Sequence, residues 1–264
     1  MKKKQPLFYV LVAIFVVSLI GFGVNFYKEY SADKALKEQQ EALKNQMADS
    51  VTKEPVKNEI LPKFQELYKE NNDFIGWLTI DDTKIDYPVM QLIEDENYYM
   101  SHDFNKNENI NGSLVLDSDS VAGVGTKKYN YENGKKPSTN LIIHGHTMKS
   151  GEMFGDLSDY ENEEYMKAHK IIKFTSLYEE REYEVISVFR SQVYNKSDDV
   201  FKFYKFFEAN TQAEFDDWYT NIKEKSVFDT GVEAEFGDEF ITLTCCAYHV
   251  EDGRFVVVAK RIKN

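Results

Sequence analysis

"ITLTCCAYHVEDGRFVVVAKRI", residues 241–262, holds the only two cysteines of the 264-residue chain, side by side. Its two apolar runs flank "VEDG", which fits a pair of strands joined by a turn. Side chains alternate across a strand, so Ile241, Leu243 and Cys245 point one way and Thr242, Thr244 and Cys246 the other. The first set is apolar and belongs in a core. There Cys245 has a complete explanation as a small hydrophobe. Cys246 ends the polar face, where a reactive thiol needs to be. Alternation therefore favours Cys246 as the functional cysteine; a bulge at the strand end would reverse the assignment. Arg254 opens the second strand and in a hairpin lies across from the cysteines. A permanent guanidinium charge there suits a thiolate or an oxyanion, and equally suits a surface arginine beside Glu251 and Asp252.

Outward from this pair, six more short runs have strand character: "FIGWLTI", "IDYPVM", "GSLVLD", "NLIIHG", "KIIKFTSL" and "REYEVISVFR". They are rich in β-branched and aromatic residues and separated by Asp, Asn and Gly. Eight strands with few long helices predict a mostly β fold, a closed barrel or a sandwich. "LPKFQELYKENND" predicts a short amphipathic helix. In "FKFYKFFEANTQAEFDDWYTNIKEKS" Phe207, Phe215, Trp218, Tyr219 and Ile222 fit one buried helical face. Residues 118–139 form a polar insertion whose "GVG" lacks the rest of a phosphate loop.

A thiol nucleophile needs a base or acid partner. Of the five histidines, His102 and His169 sit in polar stretches that suit surface or turn positions, and His249 lies in the turn after the cysteines. "NLIIHGHT" is different: an apolar strand ends in His144-Gly145-His146, and the glycine lets the backbone turn and present a ring.

The chain opens with Lys2, Lys3 and Lys4, then a charge-free apolar run over residues 7–26. About 20 such residues span a bilayer as a helix. Tyr27, Lys28 and Glu29 do not suit a signal-peptide cleavage site. The lysines place the N-terminus in the cytoplasm and everything after Phe26 outside. The expected layout is a tail at 1–6, a transmembrane anchor at 7–26, a helical stalk at 27–60 and a catalytic domain at 61–264. In the stalk, Ala35, Leu36, Gln39, Leu43 and Met47 make a thin stripe, with Ser31 as a cap and Pro55 as the end; a solvated helix is expected. The net charge of −13 argues against nucleic acid. Two adjacent cysteines make neither a disulfide framework nor a zinc site. No metal or cofactor is expected, and no ordered calcium-ligand spacing is visible.

With these residues in view, "TLTCC" followed by "DGRFVVVAKRI" resembles the active-site strand pair of the sortases, cysteine transpeptidases of Gram-positive bacteria. Their signature, Thr-Leu-x-Thr-Cys, lays its nucleophile on Cys246 and leaves Cys245 where Thr is usual. "IIHGHTM" is similar to the family's strand ending in Gly-His, which implies His146 as catalytic histidine; Arg254 matches the essential arginine. "NNDFIGWLTIDDTKIDYPVMQ", "NYYMSHDF" and "GSLVLD" look like class B members. The resemblance implies a closed eight-stranded barrel with peripheral helices. It implies cleavage of a C-terminal sorting motif on secreted proteins through a thioester on Cys246. A peptidoglycan amine then accepts the protein. Thr244, on the same face, is expected to touch substrate. Rival readings are a pilin-polymerising sortase, a hydrolytic cysteine protease and a membrane-tethered binding barrel without catalysis.

Overall fold

The computed structural model describes residues 5–49, 59–123 and 136–263. Helix α1, Gln5–Asp49, runs unbroken from the apolar segment into the polar one. Ser31 is therefore not a cap: it lies mid-helix, its hydroxyl donating to the Lys28 carbonyl at 3.0 Å. Pro55 lies outside the described residues.

The expectation of a solvated stalk is corrected as well. Leu36 and Leu43, seven residues apart and so on one helical face, are only 5% and 4% exposed. Leu36 joins the main core beside Tyr87 and Met153, and Leu43 a second cluster with Phe64 and Trp77. Polar ties frame the seam. Gln40 donates to the Asp86 carbonyl at 2.6 Å, Asn111 donates to Asp33 at 3.0 Å, and Lys37 reaches Glu152 at 3.2 Å. Burying a leucine is worth about 1.5–3 kcal/mol, whereas a surface ion pair contributes about 0–1. The two leucines thus decide the docking, and the ties set its register.

A short 3-10 turn and α2, Gln65–Glu70, lead into the barrel. Its strands are β1 Phe74–Thr79, β2 Asp86–Met90, β3 Leu114–Leu116, β4 Asn140–His144, β5 Ile171–Ser176, β6 Glu180–Gln192, β7 Phe240–Cys246 and β8 Gly253–Arg261. Each of the eight runs read as strand is one of them. The order β1-β2-β3-β4-β7-β8-β6-β5 closes on itself through β1–β5, which makes the fold a barrel and not a sandwich. The pairs β2–β3 and β4–β7 are parallel and the rest antiparallel.

Ile241, Leu243 and Cys245 enter the main core, as alternation requires. β7 holds continuous register with β8, so no bulge reverses the faces. The opposite face of the sheet is covered too. On β7 and its neighbours it packs under α4, Gln212–Lys225, whose Phe215, Trp218 and Ile222 meet Ile186, Phe240, Val256 and Val258. The helix starts at Thr211, whose hydroxyl and Glu214 form a capping box. Phe207 lies before that cap and so off the predicted helical face. Thr242 and Thr244 are consequently buried, and of the polar face only Cys246 stays partly open. α3, Glu163–Ala168, lies between β4 and β5 and is capped by Asn162.

Candidate active site

Strand register brings the candidates together at one end of the barrel. Cys246 and Arg254 sit directly opposite each other on β7 and β8. β4 runs parallel to β7 with His144 level with Thr244. The Gly145 amide then donates to the Thr244 carbonyl at 3.1 Å, carrying the pairing one residue beyond the strand. His146 follows on the next residue, as Cys246 follows Cys245. The Thr147 hydroxyl donates to the Cys246 carbonyl at 2.5 Å, and the Phe154 amide closes the loop onto the His146 carbonyl at 3.0 Å. Gly145 is needed for room: a Cβ there would lie 2.6 Å from both Leu114 and Phe154.

His146 Nε2 lies 2.6 Å from the Met100 carbonyl. A carbonyl only accepts, so this nitrogen carries the proton and Nδ1 is left for proton exchange. Arg254 Nη1 donates to the carbonyls of Gly253 and Asp252, at 2.9 and 3.2 Å. It forms no ion pair among the described residues, so its charge is not cancelled by Glu251 or Asp252. His102 stacks on Tyr98, His169 packs against Tyr165, and His249 is exposed in the β7–β8 turn.

A groove of about 330 Å³ covers this end of the sheet. Cys246, Thr244 and Arg254 line it, with Phe203 and Tyr204 as an aromatic wall. His146 does not line it and borders it through Met100. Thr244 borders the groove, but its hydroxyl is buried and has no hydrogen-bond partner among the described residues. Cys245 also reaches the groove, but burial pushes its thiol up to about 11 despite the Thr147 hydrogen bond and the charges of Arg254 and Arg190. At neutral pH it is a protonated, poor nucleophile.

Two lining residues were not singled out as a pair in the sequence. His144 Nε2 meets Asp117 Oδ2 at 3.0 Å. Burial opposes ionisation of Asp117, yet the His144 ring, the Asp119 amide and the Lys205 charge together hold its carboxyl below the usual range. The available signal was an acid ending "GSLVLD" and a ring ending "NLIIH". Only the β3–β4 pairing, with Val115 opposite His144, shows that the two ends meet. Among the described residues no cluster of three His, Cys, Asp or Glu side chains is arranged to hold a metal.

The chain and its fold are matched by known proteins. The family model described as Sortase domain covers residues 78–262. Sortase B of Listeria monocytogenes is 31% identical over 210 residues, covering 78% of this chain and 77% of the relative. Sortase B of Staphylococcus aureus is 27% identical over 252 residues, covering 95% and 94%. The crystal structure of sortase B from B. anthracis in complex with AAEK1 superposes with a TM-score of 0.72 at 27% identity, covering 89% of this chain and 100% of that one. The S. aureus sortase B–substrate complex superposes with a TM-score of 0.70 at 26% identity, covering 89% and 98%. The chain belongs to the sortase family, the cysteine transpeptidases that act at the cell wall. Within that family it is a class B sortase.

Proposed function

We propose that this enzyme cleaves a C-terminal sorting motif on secreted proteins and joins them to a peptidoglycan amine. Cys246 is the nucleophile, His146 the acid and base, Arg254 the oxyanion partner and Thr244 a substrate contact. The observation that carries the reading is the facing pair Cys246–Arg254 beside a histidine whose Nε2–H is tied to a carbonyl.

The steps follow from that geometry. Cys246 gives its thiol proton to His146 Nδ1, and the resulting thiolate attacks the carbonyl carbon of a motif threonine, forming a C–S bond. Arg254 stabilises the oxyanion of the tetrahedral intermediate. The C–N bond breaks as His146 gives the Nδ1 proton to the leaving amine, which yields a thioester. The acceptor amine attacks the thioester, loses its proton to Nδ1, and Cys246 leaves as thiolate. Two structural neighbours, a sortase B–substrate complex from S. aureus and a sortase B complexed with a short oligoglycine, support a peptide donor and an oligoglycine-type acceptor. Residues 7–26 act as a single-pass anchor with the N-terminus in the cytoplasm. Among the described residues one helix is long and apolar enough to cross a membrane, and none of its apolar window is buried inside the protein, as lipid contact requires. The anchor keeps the catalytic domain where secreted clients and wall precursors arrive.

The test uses the full chain in detergent, as wild type, Cys245→Ala and Cys246→Ala. Each is incubated with a panel of sorting-motif peptides and a glycine-type or diaminopimelate-type amine, and products are read by mass spectrometry. Cleavage and ligation should survive in Cys245→Ala and vanish in Cys246→Ala. The reverse pattern refutes the assignment of the nucleophile, and a wild type silent across the panel refutes the proposed activity.

A further inference from the structure

The docking of α1 fixes more than the stalk. An α-helix rises about 1.5 Å per residue, so Lys28 lies about 3 Å and Ala35 about 14 Å beyond Phe26, the last residue of the proposed span. Over this stretch the helix already touches the barrel. Lys28, Ser31, Ala32 and Ala35 share a shallow groove with Asn109 and Ile110. Asn111 is hydrogen-bonded to Asp33 at 3.0 Å. The helix continues unbroken to Leu36, which is part of the main core. Span and domain are thus joined by continuous helix.

The headgroup layer beyond the hydrocarbon core is about 5–7 Å thick on each side. The loop at residues 101–112 therefore runs from the height of the headgroups, beside Lys28, to just outside them, where Asn111 meets Asp33 about 10 Å beyond Phe26. Ile110, in the turn at residues 109–112 that the Gly112 amide closes onto the Asn109 carbonyl, is 52% exposed. A branched aliphatic side chain held open on a loop costs hydration in water and gains by entering an interface. Tyr27 and Tyr30, both exposed on α1 at the same level, have the amphipathic rings that favour the membrane–water boundary.

We propose that the loop at residues 101–112, led by Ile110, is a membrane-contact surface that seats the catalytic domain on the lipid bilayer. This rests on the reading of residues 7–26 as a membrane anchor. The contact also bears on the active site. The Asn109 amide bonds the Ser101 carbonyl and the Ser113 amide the Tyr99 carbonyl, at 2.9 and 2.8 Å. Between those ties lies Met100, whose carbonyl orients His146. The segment resting on lipid is thus the one that holds the histidine's acceptor.

The experiment uses the full chain carrying Cys245→Ala and Cys246→Ala, so that a thiol-reactive environment-sensitive fluorophore labels one introduced cysteine. The labelled positions are Val16→Cys, Ile110→Cys and Glu180→Cys. Glu180 pairs with Lys63, which sits beside Ala48, about 33 Å along the helix from Phe26. Each protein is placed in phosphatidylcholine nanodiscs with lipids spin-labelled at the headgroup or deep in the acyl chain. The expected result has three parts: Val16 quenched by the acyl-chain label, Ile110 quenched at least twofold by the headgroup label, and Glu180 unaffected. Quenching at Val16 without quenching at Ile110 overturns the proposal and leaves the anchor standing. No quenching at Val16 overturns the anchor, and the proposal with it. Equal headgroup quenching at Ile110 and Glu180 overturns it too, because contact would not be confined to this loop.

Discussion

The docked helix can be tested by Leu36→Ala. The change removes about three carbons from a side chain that is 5% exposed. At about 0.8 kcal/mol per buried methylene, the transfer loss is about 2.4 kcal/mol. A rigid cavity would add to that, since buried Leu→Ala changes span about 2–5 kcal/mol. Leu36, however, lies on a seam lined by Tyr87, Pro88 and Met153, which a helix backbone can approach as the site relaxes. The expected cost is therefore near the low end, about 2.5 kcal/mol. For a domain of this size 1 kcal/mol moves Tm by about 2–4 °C, so Tm should fall by about 5–10 °C. The assay is thermal unfolding of the full chain in detergent, with Glu38→Ala as control. Glu38 is exposed and, among the described residues, pairs with Lys34 on the helix surface, so its change should stay within about 0.5 kcal/mol. A Tm for Leu36→Ala within about 1 °C of wild type would refute the docking and restore the solvated stalk.

Iodoacetamide on the folded chain at pH 7.5 should modify Cys246 and spare Cys245, whose thiol is pushed to about 11; peptide mapping showing equal modification would contradict this. Arg254→Lys should lower kcat/KM for a sorting peptide by about 10²–10³-fold with Tm almost unchanged, because no ion pair is lost; a large Tm loss would mark a structural arginine. Gly112 has φ +57°, and a Cβ there would lie 2.5 Å from the Met100 carbonyl oxygen. Gly112→Ala should move that carbonyl and cut kcat about tenfold or more; unchanged kcat and an unchanged His146 NMR shift would show that the acceptor does not matter. Asp117 has its folded pKa depressed. Its contribution is thus present above the ordinary carboxylate value of about 4 and is lost as pH falls through the folded value. Asp117→Asn should flatten the acid limb of the stability–pH curve, and identical limbs in urea melts from pH 5 to 2 would refute the assignment.

The strands were legible because each is short and apolar or alternating and carries its own turn residues. The faces of β7 were legible because period-2 alternation needs no tertiary information. The covering of Thr242 and Thr244 was not, since alternation says which residues share a face and nothing about what packs on it. That cover comes from α4 and the segment around Phe206, whose carbonyl accepts from the Asn140 side chain at 3.0 Å. The stripe on α1 was visible and included Leu36 and Leu43, yet so thin a stripe on a charged helix reads as solvated. The core that receives the leucines, and the groups Asp86, Asn111 and Glu152 that set the register through Lys44, Asp33 and Lys37, lie far along the chain from the helix, so no local pattern joins them. The pairing of His144 with Asp117 was hidden for the same reason.

The position of Cys246 follows from how the outer face is covered. A nucleophile within the covered part of β7 would be as closed to substrate as Thr242, which spends its hydroxyl on Asn140 at 2.8 Å. A nucleophile past the strand would lose the register that sets it opposite Arg254. The last residue of β7 satisfies both demands, since it is still paired to β8 and no longer under the helix. The residue before it must then point into the core, where any small apolar-tolerant side chain suffices. On the proposed assignment, the doublet is one reactive thiol and one packing thiol, separated by a single step of the pleat.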